Sequence, residues 1–388
     1  MHPDVSKDFV VLILFIVHCT SQFHLTEVIM HKKLFIPGPT EVAPEVLQKM
    51  ATPMIGHRSK DASNLQREIS EKLRKVMHTS NPILLSTSSG SGLMEGSIRS
   101  LTAKRAIVFS VGAFGNRWFK MAEANNIPAD KCESEWGQPT TPEMVEKYLS
   151  TGKYDVMTVT HNETSTGVMN PVEAIAEVKK KYPDVLWLLD TVSSMGGVKI
   201  EVDKLGVDVC IASTQKALAL PPGMAVCSVT HRALEHGKQV KYRGWYLDIL
   251  ELYKYVETKD HQYSATPSLS HMFAMNYQLD RILAEGMEKR YARHKEMAEY
   301  TREWAKKCFS LYPHPQYASQ TLTTITNTKN ISVKALNDEL GKLGMQISNG
   351  YGDLKEKTFR IAHMGELTLK DVKEVTGAIE RIVPTLVK

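Results

Sequence analysis

The sequence predicts an α/β fold, with a mostly parallel sheet covered by helices on both faces and a smaller α/β unit at the C-terminus. Three observations carry this reading. Six short, nearly continuous apolar runs recur between residues 83 and 227, helical periodicity separates several of them, and a helix, a strand and a final amphipathic helix close the chain. At 388 residues the chain is long enough for about two domains and a sizeable core.

Taken in order, Phe9–Val17 is an unbroken apolar run, shorter than the ~20 residues that span a bilayer. Its flanks lack the basic start and small-residue cleavage site of an export signal. Globular patterning begins at Met30, so residues 1–29 read as an upstream extension, and 30–45 as an N-terminal arm. From Asp61, Leu65, Ile69, Leu73 and Val76 recur at helical spacing. The apolar runs follow: Ile83–Leu85, Ala106–Phe109, Val156–Val159, Val185–Leu189, Val209–Ile211 and Met224–Cys227, with a helical stretch over Pro171–Lys181. Their continuity, rather than alternation, is the mark of strands buried on both faces. Beyond Ala265–Ser270, one long helical pattern runs through Leu279 and Leu283 into GMEKRYARHKEMAEYTREW, a connector between domains. A helix over Val333–Leu343, a strand over Thr358–Ala362 and a helix carrying Leu369, Val372, Val375, Ile379 and Ile382 complete a small unit. The expected boundaries are 46–285 for the large domain and 286–388 for the small one.

Composition narrows the function. Hydrophobic residues make up 42% and charged residues 23%, values of an ordinary globular protein. The net charge of +5 is spread along the chain with no basic block, which excludes a nucleic-acid footprint. Cys19, Cys132, Cys210, Cys227 and Cys308 are odd in number and never spaced as C-x-x-C, so the sequence encodes neither a disulfide framework nor a zinc site, and no other metal site is expected.

In open parallel sheets, ligands bind beyond the carboxyl ends of the strands, so the residues that follow each apolar run are the informative ones. After Leu85 comes STSSGSGLMEG, a small-residue turn feeding a helix. Ser91, Gly92 and Leu93 are its candidate phosphate cradle, because helix starts offer unpaired N–H groups. The run to Leu189 ends in Asp190, a carboxylate that needs a cationic partner if buried. The next run leads to Lys216, 26 residues later at the matching end of a neighbouring strand.

This constellation resembles the fold-type I pyridoxal-phosphate (PLP) enzymes, and its motifs are similar to those of class V aminotransferases of the alanine–glyoxylate and serine–pyruvate group. The likeness runs over about residues 32–384, through IPGPTEV, GHRSKD, SSGSGLMEG, VGAFGNRW, THNETSTGV, LLDTVSSMGG, STQKALALPPG, WYLDI and FRIAHMG. By that resemblance Lys216 is the amine that links the cofactor and later carries a proton. Asp190 pairs with the cofactor's ring nitrogen. Phe114 stacks on one face of the ring and Val192 packs against the other. Thr164 bonds the phenolic oxygen, and Gln215 helps hold the phosphate. Tyr263 and Thr266 reach the phosphate of a neighbouring subunit, which implies a homodimer with shared active sites. Gly38 lines the substrate pocket with backbone, and Arg360 grips the substrate carboxylate through a fork that lysine lacks. His57 and Arg58 stand open between a partner-site and a structural role, Trp245–Asp248 between pocket and dimer core, and His161 is expected in the core.

The resemblance therefore implies ping-pong transfer of an amino group from alanine or serine to glyoxylate or pyruvate, with amino acids and 2-oxo acids as the only partners besides a second subunit. Alternatives within class V are aspartate or phosphonate-type aminotransferases and cysteine desulfurase-like lyases. The last need a mobile C-terminal cysteine, and none follows Cys308. A silent scaffold would have no need of Lys216, Asp190 and Arg360 together. The C-terminal TLVK is not the peroxisomal S-K-L, so the expected location is cytoplasmic, without membrane association.

Overall fold

Strand boundaries follow the apolar runs within two residues. The computed structural model describes residues 31–387, so the extension expected over residues 1–29 lies outside the described residues. In chain order the strands are β1 (Lys33–Phe35), β2 (Ile83–Ser86), β3 (Ala106–Ser110), β4 (Ala129–Glu133), β5 (Val156–Thr160), β6 (Asn162–Glu163), β7 (Val168–Met169), β8 (Leu186–Asp190), β9 (Val209–Ser213), β10 (Ala225–Val229), β11 (Ser310–Leu311), β12 (Leu322–Thr326), β13 (Met345–Asn349) and β14 (Thr358–Ala362). The seven-stranded sheet runs β2-β10-β9-β8-β5-β3-β4. Only β10 is antiparallel to its neighbours there. Every residue of β3, β5, β8 and β9 is buried, because helices cover both faces.

The helix Lys60–Met77 forms as its periodicity requires. Ser59 caps it by accepting the Ala62 N–H, and Leu65, Ile69, Leu73 and Val76 are all buried against the sheet. The strand β4, ADKCE, escapes an apolar-run reading, since it is an edge strand with only Cys132 buried.

A second sheet of five strands, β1-β13-β14-β12-β11, has its own core, with Phe35, Trp304, Phe359 and Ile379 among its buried side chains. The arm expected over 30–45 thus supplies β1, paired in parallel with β13. The long helical pattern is corrected: it divides into Leu269–Glu285 and Met287–Cys308 at Gly286. That residue has φ +84°, a conformation glycine adopts without steric cost. No helix among the described residues is long and apolar enough to cross a membrane.

Candidate active site

Topology brings distant residues to one end of the large sheet. β8 lies between β5 and β9, with Asp190 opposite Thr160 on one side and Ile211 on the other. The residues following β2, β3, β5, β8 and β9 therefore meet. They line a cavity of about 210 Å³ that includes Ser91, Phe114, Arg117, Asn162, Thr164, Asp190, Val192, Gln215 and Lys216. A larger hollow of about 400 Å³ around Lys179, Asp203 and Arg232 holds charges that are already paired, Arg232 with Asp208 and Asp203 with Thr79, Ser80 and Asn81. The chemistry belongs to the smaller cavity.

Lys216 follows the end of β9 by three residues, and its amine donates to Pro37 O. Burial first, then the positive charge of Arg360, pull the amine down to about 8 against the opposing pull of Asp190. Asp190 is displaced in the other direction. Burial raises its carboxyl to about 6, although the Val192 N–H, 2.8 Å from Oδ1, favours the charged form. Ala217 joins Leu322, Ala362 and Met364 in a small apolar cluster, tying the lysine loop to the second sheet. Gly38 sits against the same lysine. With φ +106° it takes a backbone conformation open to glycine, and a Cβ there would fall 2.7 Å from Lys216 Cδ and Nζ.

The phosphate-type turn enters the helix Gly90–Leu101. Ser91 lines the cavity together with Ser89 and Gly90. Gly92 and Leu93 do not: their N–H groups already donate to Ser89 O (2.9 and 3.4 Å), and the Leu93 side chain is in the core. The N–H groups of Gly90 and Ser91 precede the first possible helical bond and are the ones left for an anion. Val192 closes on this turn, with Cγ2 2.4 Å from where a Cβ on Gly90 would stand.

Phe114 begins the helix Ala113–Ala124. A buried carboxylate that the sequence reading passed over, Glu163, holds that helix start: it accepts the N–H groups of Phe114 (3.0 Å) and Gly115 (2.9 Å), and both the N–H (3.0 Å) and the hydroxyl (2.6 Å) of Ser165. Arg117 was also passed over. It stands one turn after Phe114, close enough for its guanidinium to lie 4.5 Å from the Phe114 ring centre and for Nη1 to donate to Ser91 Oγ at 2.8 Å. That i, i+3 spacing within VGAFGNRW was the available signal. Asn162 is the third omission. Its Nδ2 donates to Ser193 Oγ (2.8 Å) and Thr321 Oγ1 (3.2 Å), while Oδ1 is buried without a partner. A cavity-lining orphan acceptor is a place for a ligand donor.

Arg360 lies on β14, buried, with Nε and Nη2 donating to Asn349 O (3.1 and 2.9 Å) and Nη1 to Thr164 O (3.0 Å). Three of a guanidinium's five N–H bonds are thereby spent on orientation, and two are left for a ligand. Gln215 accepts from Ser213 Oγ at 2.6 Å. Tyr263 and Thr266 do not line the cavity of their own chain. Tyr263 is buried with its hydroxyl accepting the Thr87 N–H at 3.1 Å, and Thr266 is exposed. Arg58 donates to the carbonyls of Tyr263 and Ser264, and so braces the segment that carries Thr266. His161 is buried, hydrogen-bonded to Ser194 Oγ at 2.9 Å and pulled down to about 4 by burial, so it is a neutral core histidine.

A buried amine whose pKa is drawn down toward neutrality, a buried carboxylate, an aromatic wall and a helix start with N–H groups free of helical partners, all at the carboxyl edge of this sheet, are the arrangement of a fold-type I PLP enzyme. Comparison with known proteins gives the family. Residues 34–353 match the model of Aminotransferase class-V. An aminotransferase of Methanocaldococcus jannaschii is 40% identical over 357 residues, covering 90% of this chain and 92% of the relative. The serine–glyoxylate aminotransferase of Methylorubrum extorquens is 29% identical over 374 residues, covering 92% of each. Among solved structures, the alanine–glyoxylate aminotransferase of a Nostoc species superposes with a TM-score of 0.87 at 30% identity, over 93% of this chain and 97% of that one. The chain belongs to the class-V aminotransferases and is a PLP-dependent enzyme.

The residues present fit that cofactor. Lys216 would offer the amine, Asp190 the anion for a ring nitrogen, the Gly90 and Ser91 N–H groups a seat for phosphate, and Asn162 Oδ1, buried without a protein partner, a further acceptor. When bound, PLP supplies the aldehyde carbon and the electron-withdrawing ring that amino transfer requires.

Proposed function

We propose that this enzyme moves the amino group of a small L-amino acid, alanine or serine, to glyoxylate or pyruvate in two half-reactions at one site. The observation that carries the reading is the buried Arg360, with three of its donors fixed on Asn349 and on the cavity-lining Thr164, near enough for its charge to act on Lys216. Its free fork orients a carboxylate shared by every amino and 2-oxo acid on the path. Lys216, neutral at the moment of transfer, is the group that takes the proton from the substrate Cα and returns it. Asp190 stays ionised to hold positive charge on the ring side. The relatives that act on alanine or serine with glyoxylate support the substrate class. The test is a panel of donors crossed with acceptors, following the second half-reaction. Transfer confined to donors other than small amino acids would end this reading.

Arg360→Ala is expected to raise KM for both amino and oxo acids by about 100-fold or more, the weight of a charge-assisted bidentate contact. Cofactor affinity is expected to change little. Steady-state kinetics beside cofactor titration checks this, and equal losses in both would remove Arg360 from the carboxylate role.

The two displaced pKa values set a pH dependence. In the apo protein, cofactor attachment needs Asp190 ionised and Lys216 neutral. Asp190 loses its proton as pH rises through about 6 and Lys216 as pH rises through about 8. Attachment rates are expected to climb across both steps, about tenfold between pH 6.5 and 7.5 on the lysine limb alone. A rate that is flat over this range in stopped-flow absorbance would contradict the assignment.

A homodimer is part of the reading. Tyr242, Trp245 and Tyr246 expose 95, 57 and 42% of their surface on one segment, a patch suited to a second copy. Thr266, exposed on its own chain, is then available to the partner's site. Sedimentation as a monomer at micromolar concentration would end this part of it. The described cysteines are all free, three of them buried, which supports a reducing cytoplasmic location.

A further inference from the structure

Tyr351 belongs to none of the motifs discussed above, yet it touches both groups that must flank a substrate. Its ring centre lies 5.5 Å from that of Phe114, tilted by 38°, and 5.6 Å from the Arg360 guanidinium. Its hydroxyl accepts from Arg117 Nη2 at 3.4 Å. The loop that carries it is braced. Asn349 Oδ1 accepts the N–H groups of Gly350 (2.7 Å) and Glu356 (2.8 Å), while Asn349 Nδ2 donates to Glu356 Oε1 at 2.5 Å. Gly350 is packed so tightly that a Cβ would meet Leu354 O at 1.9 Å. The same Asn349 offers its carbonyl to Arg360, so the phenol and the carboxylate-binding fork are held at a fixed separation by one short segment.

We propose that Tyr351 sets the length of amino-acid side chain the enzyme accepts. This rests on the transamination reading above. A substrate held by its carboxylate at Arg360, with Cα beside the face that Phe114 covers, has Tyr351 standing against both anchors. A rigid phenol with only two side-chain torsions is a wall, not a cushion. It leaves room for a methyl or hydroxymethyl group and turns away longer unbranched chains.

The experiment compares kcat/KM for alanine, 2-aminobutyrate and norvaline in the holoenzyme and in Tyr351→Ala and Tyr351→Phe. Tyr351→Ala is expected to raise the norvaline-to-alanine ratio by about 10–100-fold, the range open to one or two methylenes in an apolar pocket. Tyr351→Phe, which keeps the ring, is expected to keep the wild-type order of donors. A second readout needs no turnover: calorimetric titration of the loaded enzyme with acetate, propionate, butyrate and pentanoate. Wild-type affinity is expected to fall with chain length and that of Tyr351→Ala to hold or rise. If Tyr351→Ala lowers all donors by one factor and leaves the carboxylate series unchanged, the proposal is overturned. Should the wild type transfer nitrogen from no donor, the transamination reading fails, while the carboxylate series still decides whether Tyr351 gates chain length.

Discussion

Lys216→Ala is expected to abolish the visible absorbance of lysine-linked cofactor and to lower amino transfer by about 10⁴-fold, the upper end of what one proton-transferring group contributes. The size of the effect follows from two duties resting on one amine. It is the only lysine lining the cavity among the described residues, and burial has already brought its pKa near 8, where a neutral, nucleophilic fraction exists at physiological pH. Lys216→Arg separates charge from nucleophilicity. It keeps the positive charge beside Asp190 but has no amine to offer, and the same inactivity is expected. Cofactor linkage surviving in either variant, read by absorbance after borohydride reduction, would overturn the assignment.

Asp190→Asn is expected to lower kcat by about 10²–10³-fold, comparable to removing one preorganised electrostatic contact from a buried site. The substitution preserves shape and can still accept the Val192 N–H, so the loss would report charge rather than folding. Stability is expected to move the other way. The buried carboxyl holds its proton up to about pH 6, whereas in the unfolded chain it releases it near 4. At this group the folded state therefore binds more protons between these values, and the contribution of Asp190 to apo stability falls as pH rises from about 4 to 6. Asp190→Asn lacks this dependence and is expected to be at least as stable as wild type at pH 7, where the buried charge is fully developed. Chemical denaturation of both apo proteins at pH 4.5 and 7 checks the sign. Full activity in Asp190→Asn would remove the residue from the chemistry.

Apolar runs and helical spacing marked nearly every buried strand of the large sheet, because a strand covered on both faces must be hydrophobic throughout. The same rule hid β4, whose ADKCE sequence meets solvent at the sheet edge, and β1, three residues long and paired with a strand more than 300 residues away. The break at Gly286 is a local backbone matter inside a pattern whose side-chain period continues on both sides.

At the site, the placement of the expected pair was legible in the sequence. Asp190 closes one apolar strand and Lys216 follows the next, and the strand-end rule places such residues around one crevice whatever the details of packing. Only the tertiary structure decided what surrounds them. Glu163, Arg117, Asn162 and Tyr351 act through contacts between segments far apart in the chain, as in the Tyr351 ring against Phe114 and Arg360. It also decided which N–H groups of the helix start are left for an anion, since Gly92 and Leu93 spend theirs on Ser89. Period and composition report the burial of a segment. Hydrogen-bond partners and displaced pKa values depend on distances across the fold, which no local pattern encodes.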